Sequence, residues 1–125
     1  MAEQIIPDDV RDFIIRHIDS VAQLEALLLL HGNPSETWSI ASMAKRLYTT
    51  EAEIAEPLAR LVDDGLLSVS EGIYRYDCAA EGHRNIVDRL AIVYSRHLIA
   101  VTNMIHGKPR RIRQFADAFK FRKDR

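Results

Sequence analysis

Between Ser39 and Tyr76 two short helical patterns stand almost end to end, and two β-favouring runs follow at once. Few folds accommodate that order. Ser39 is placed to cap a helix that turns Ile40, Ala41, Ala44 and Leu47 inward. Tyr48-Thr49 is its turn, and Thr50-Glu51-Ala52-Glu53 has the form of a capping box, in which the two side chains satisfy each other's free backbone N–H. Ile54, Leu58, Leu61 and Val62 then form an apolar stripe as far as Gly65, a residue suited to ending a helix. Leu66–Ser70 and Ile73–Tyr76 flank Glu71-Gly72, which predicts a two-residue hairpin, a small wing. Pro57 lies seven positions past Thr50, inside the second helical pattern, where its missing N–H predicts a bend.

The flanking segments are helical in pattern too. Pro7 opens a helix over residues 8–18, with Asp8, Asp9 and Asp12 near its positive end and Val10, Phe13, Ile14 and Ile18 at helical spacing. Ser20-Val21-Ala22-Gln23 reads as another capping box, and the helix after it ends near Gly32. Its run Leu27–Leu30 is apolar on nearly every side, which predicts central burial. Thr37-Trp38-Ser39 reads as a short extended piece anchored by the tryptophan. From residue 80 to residue 106, Val87, Leu90, Tyr94, Leu98, Val101 and Ile105 recur every three or four positions, with Ile86, Val93 and Ile99 widening the stripe. An unbroken helix of that length would span about 40 Å, more than so small a body covers, and its surplus apolar surface predicts a homodimer paired through the helix 80–106. Gly107, Lys108 and Pro109 end it. Two segments are therefore expected: a body, residues 1–107, and a basic amphipathic tail, residues 108–125, with Ile112, Phe115, Ala116 and Phe119 on one face.

Charge separates the same two segments. The net charge of −1 combines +6 on residues 108–125, where eight bases meet two acids, with −7 on the other 107 residues. Such a tail suits an anionic surface: nucleic acid, a lipid headgroup or an acidic protein patch. With 47% hydrophobic residues in 125, one core is expected. The longest apolar run is far short of the roughly 20 residues that cross a bilayer, and no export signal is read at the start, so a cytoplasmic protein is expected. The single cysteine, Cys78, allows no internal disulfide and reads as a buried thiol. His17, His31, His83, His97 and His106 form no ligand spacing, and neither a phosphate loop nor a nucleophile with its base occurs. No metal, no cofactor and no enzymatic activity are expected.

Over residues 8–106 this order resembles the winged helix-turn-helix family and is similar to the MarR-type and related small bacterial transcription regulators. The carrying residues are Ser39–Leu47, the turn Tyr48-Thr49-Thr50, then Ile54, Leu58, Leu61 and Asp64-Gly65-Leu66-Leu67 leading into the wing. The resemblance implies a mainly α fold with a small β-hairpin, dimers paired through terminal helices, and helix 51–64 in the major groove of DNA with the wing along the phosphates. It places Lys45, Arg46, Thr50, Arg60 and Arg75, with Arg110, Arg111 and Arg113 of the tail, as DNA-binding residues.

The exposed positions of that helix are a poor match to the role. Thr50, Glu51, Ala52, Ala55 and Glu56 include none of the usual partners of purine edges. Residues 39–64 hold three bases and five acids, a net −2 that repels phosphate. Three functions therefore remain, in this order: a dimeric DNA-binding regulator, a winged-helix adaptor whose acidic helix 51–64 binds a basic protein partner, and attachment to an anionic membrane through the tail.

Overall fold

A computed structural model describes residues 5–108, and in them the expected elements appear in the expected order, with one break. They are α1 (Asp8–His17), α2 (Val21–Gly32), β1 (Trp38–Ser39), α3 (Ile40–Arg46), α4 (Glu51–Asp63), β2 (Leu67–Ser70), β3 (Ile73–Tyr76), α5 (Glu81–Arg96) and α6 (Leu98–Gly107). The fold is mainly helical with a small antiparallel sheet. The tail residues Arg110, Arg111 and Arg113 lie outside the described residues, as does the amphipathic pattern of the tail.

One core joins all the helices. Val10, Phe13 and Ile14 of α1, Leu24, Leu27 and Leu30 of α2, Met43 of α3, Ile54, Leu58 and Leu61 of α4, and Val87 and Leu90 of α5 are buried in it. Helix α2 sits in the middle, against α4, α5 and β3, and even Leu28 and Leu29 on its outer side are half-covered. That is what a helix without a polar face requires.

The wing is a three-stranded sheet, because the tryptophan strand joins the hairpin in the order β1-β3-β2. Trp38 stands opposite Tyr74, and Tyr74 opposite Val69. Side chains alternate along a strand, so Trp38, Tyr74 and Tyr76 share the face that packs on the core, and Arg75 points the other way, exposed. The turn Glu71-Gly72 has positive φ at both residues, 53° and 79°, as the tight right-twisted hairpin demands.

Three sequence expectations need correction. The helix expected over 80–106 bends at His97, whose φ of −133° and ψ of 51° leave the helical region. The Ser95 hydroxyl donates to the Ile92 carbonyl (2.8 Å), a back-bond that competes with the helical ladder and bends helices. The bend brings α6 back so that Val101 and Ile105 enter the core. A straight helix would have carried them off the body, so the argument from a 40 Å span falls. Around the bend Ile92, Leu98 and Ile99 remain exposed, Ile99 at 71%.

Second, the Ser20 box is only half formed. Ser20 accepts from the Gln23 N–H, but the buried Gln23 side chain accepts from the Asp19 N–H (2.6 Å) and donates to the Pro57 carbonyl (3.1 Å). A buried amide must satisfy both its ends, and this one does so by tying α2 to α4 at the proline. Third, Lys108 belongs to the body. Its ammonium donates to the Ile18 carbonyl (2.6 Å) and the Asp19 carboxylate (3.1 Å), where α1 leaves carbonyls without helical partners.

Candidate nucleic-acid interface

The α3–α4 turn is built by two helix termini. Helix α3 starts on a capping box between Ser39 and Ser42, and α4 on one between Thr50 and Glu53. Glu53 also accepts from the Thr49 hydroxyl at 2.6 Å. That bond, ahead of the Thr50 backbone N–H, holds its carboxyl below the usual value of 4.5. Helix α3 ends in a paired turn of bonds: Thr49 N–H donates to the Ala44 carbonyl (2.9 Å) and Tyr48 N–H to the Lys45 carbonyl (3.3 Å). This Schellman arrangement puts Tyr48 in the left-handed region at φ 58°, a position usually filled by glycine. Its side chain stands in solvent at 95% exposure.

Around Tyr48 the structure gathers Lys45, Arg46 and Thr50, all exposed. Neither base has an ion pair among the described residues. Arg75 is exposed on the wing, also without such a pair, and no hydrogen bond joins it to the turn. Arg60 is differently placed. Its Nε lies 3.3 Å from the Asp19 carboxylate that also holds Lys108, so it serves to tie α4 to the α1–α2 corner. Three of the residues expected to bind DNA therefore lie at one turn, a fourth sits on the β2–β3 hairpin, and a fifth is engaged elsewhere.

Sequence reasoning did not single out the exposed, left-handed Tyr48. The signal available was a large aromatic between two capped helices, where Gly or Asn is the easy choice. Among the described residues only Tyr48 and Glu71 combine a side chain with positive φ, and they occupy the α3–α4 turn and the tip of the β2–β3 hairpin.

The outward side of α4 is acidic and small. Glu51, Ala52, Ala55, Glu56, Ala59 and Asp63 are exposed on it. At its far end His17 Nδ1 lies 2.8 Å from Asp64 Oδ2, joining α1 to α4, and the rings of Phe13 and His83 pack around His17. His31 pairs similarly with Asp88 (2.7 Å) against the edge of Tyr76. Burial pushes the Cys78 thiol up, and its Sγ donates to the Ala80 carbonyl, the state of an unreactive buried cysteine. Tyr94, donating to Glu25 at 2.8 Å, is pushed up to about 12 by burial and then by that carboxylate. No group of three potential metal ligands, and no helix long and apolar enough to cross a membrane, occurs among the described residues. No family model matches the chain, and neither a curated protein nor a solved structure matches it.

Proposed function

We propose that the chain is a cytoplasmic DNA-binding module of winged helix-turn-helix type, a transcription regulator that holds duplex by its phosphates. The observation that carries this reading is the cluster at the α3–α4 turn, where Lys45, Arg46 and Thr50 stand exposed beside the outward Tyr48, the two bases without an ion pair among the described residues. Arg75 on the wing supplies a further phosphate contact, and the tail bases Arg110, Arg111 and Arg113 add to the attraction. Base-edge readout by α4 forms no part of this function, because its exposed positions are Glu, Asp and Ala. Two copies pair through the apolar corner of Ile92, Leu98 and Ile99, and sedimentation of wild type against Ile99→Lys tests that pairing.

The decisive experiment is fluorescence anisotropy of a labelled random duplex of about 20 base pairs, titrated between about 50 and 200 mM salt. Phosphate contacts by Lys45, Arg46 and Arg75 give a log–log slope of about −2.7 per chain, which weakens binding about 40-fold across that range. The acidic face of α4, with its one base held by Asp19, favours a second reading: docking of a basic protein partner on Glu51, Glu56 and Asp63. No anisotropy change at about 50 mM salt overturns the DNA reading and leaves this one.

A further inference from the structure

Tyr48 breaks two rules at once: a bulky L-residue stands in left-handed backbone, and an aromatic ring stands almost wholly in water. Neither is needed to close the turn, since Gly65 ends α4 with the same hydrogen bonds and no side chain. A cost that the fold does not require marks a position kept for something outside the fold. Lys45 and Arg46 in the turn before it define the chemistry of that something, because two exposed cations without carboxylate partners among the described residues suit a polyanion.

We infer that Tyr48 is a nucleic-acid contact residue, its ring packed on the sugar–phosphate backbone of duplex DNA and its hydroxyl donating to a phosphate oxygen. Lys45 and Arg46 engage the phosphates on either side. Bonds through Thr49 N–H and Tyr48 N–H fix the Tyr48 backbone, so the side chain leaves the body from a set point and only its own torsions are ordered on binding. A phosphate contact positions the protein on the duplex without reading sequence, in keeping with the absence of purine-reading side chains on α4. The inference rests on the DNA-binding reading, and the test distinguishes failure of the inference alone from failure of that reading.

The test uses the full chain and the random duplex at low salt, with Tyr48→Phe, Tyr48→Ala, Tyr48→Gly and, as reference, Lys45→Ala. Loss of ring and hydroxyl together raises Kd about tenfold in both Tyr48→Ala and Tyr48→Gly, and Tyr48→Phe lies between these and wild type. Tyr48→Gly is the critical variant, because it keeps the turn and relieves its backbone, so weakened binding in it cannot come from a damaged fold. The inference is overturned if Tyr48→Gly binds as wild type while Lys45→Ala binds more weakly. If wild type does not bind the duplex at all, the DNA-binding reading falls and takes the inference with it.

Discussion

Helices α3 and α4 end in the same hydrogen-bonded turn, yet the two ends are filled by opposite kinds of residue. At the end of α4, Leu66 N–H donates to the Leu61 carbonyl and Gly65 N–H to the Val62 carbonyl, both at 3.0 Å. Gly65 takes the left-handed position at φ 79°, and Leu66 drops fully buried into the core beside Leu61. That end follows every rule for stopping a helix: glycine where the backbone is left-handed, and an apolar contact to seal it. At the end of α3 the same positions hold Tyr48 and Thr49. The backbone position carries a side chain it disfavours, and a half-buried threonine stands where the other end has a fully buried leucine. One end is built for stability and leads the chain into the wing. The other gives up stability at a surface where bases and an aromatic ring face solvent.

The largest effect separates the sealing residues. Leu66→Ala empties a fully buried site and is expected to cost about 2–5 kcal/mol, whereas Thr49→Ala at the matching position of α3 costs about 1 kcal/mol or less. Urea unfolding of both variants measures the gap, and equal costs would end the view that only one of these turns is part of the core. Next come the left-handed positions, where opposite signs are expected. A Cβ on Gly65 would meet no atom within 4 Å, so Gly65→Ala feels only the backbone and loses about 1–2 kcal/mol. Tyr48→Gly gains about 0.5–1 kcal/mol, the relief of strain less the entropy glycine loses on folding. A destabilised Tyr48→Gly would mean that the tyrosine serves the fold after all.

The order of elements was legible in sequence because each is encoded locally. Apolar spacing marks the helices, Thr50 with Glu53 marks the start of α4, and Glu71-Gly72 marks the hairpin. What the sequence concealed is tertiary. The spacing of apolar residues runs unbroken through His97, so nothing in the pattern distinguishes a bent α5–α6 pair from one straight helix, and the Ser95 back-bond that competes with the ladder is one of many available to a serine. Gln23 has the right residue type for a box but finds a better partner in Pro57, far along the chain. Site residues followed the same division. Lys45, Arg46 and Thr50 are neighbours in sequence and meet at one turn, whereas the capture of Arg60 by Asp19 depends on how α4 packs at the α1–α2 corner.

The smallest effect is expected from pH, and it too divides the helix ends. Glu53 carries a shifted carboxyl at the α3–α4 turn. Its value in the folded chain lies below the ordinary 4.5, because the Thr49 hydroxyl and the Thr50 backbone N–H favour the charged form. A depressed carboxyl contributes stability that is present above the unfolded value and is lost as pH falls through the folded one. The α3–α4 turn should therefore loosen in acid below about pH 4.5, whereas the two bonds that close the Gly65 end, to the Val62 and Leu61 carbonyls, involve no side chain, the neighbouring His17–Asp64 pair lying outside them. Amide hydrogen exchange at Thr49 and Thr50 against Gly65 and Leu66, followed from neutral pH down to about pH 3 and corrected for intrinsic rates, reads the difference. Glu53→Gln keeps an acceptor for both donors but removes the titration, so its exchange at the turn should no longer depend on acid. If wild type and Glu53→Gln lose protection in parallel as pH falls, the acid sensitivity lies elsewhere, with the Asp9–Arg89 pair between α1 and α5 as the next place to look.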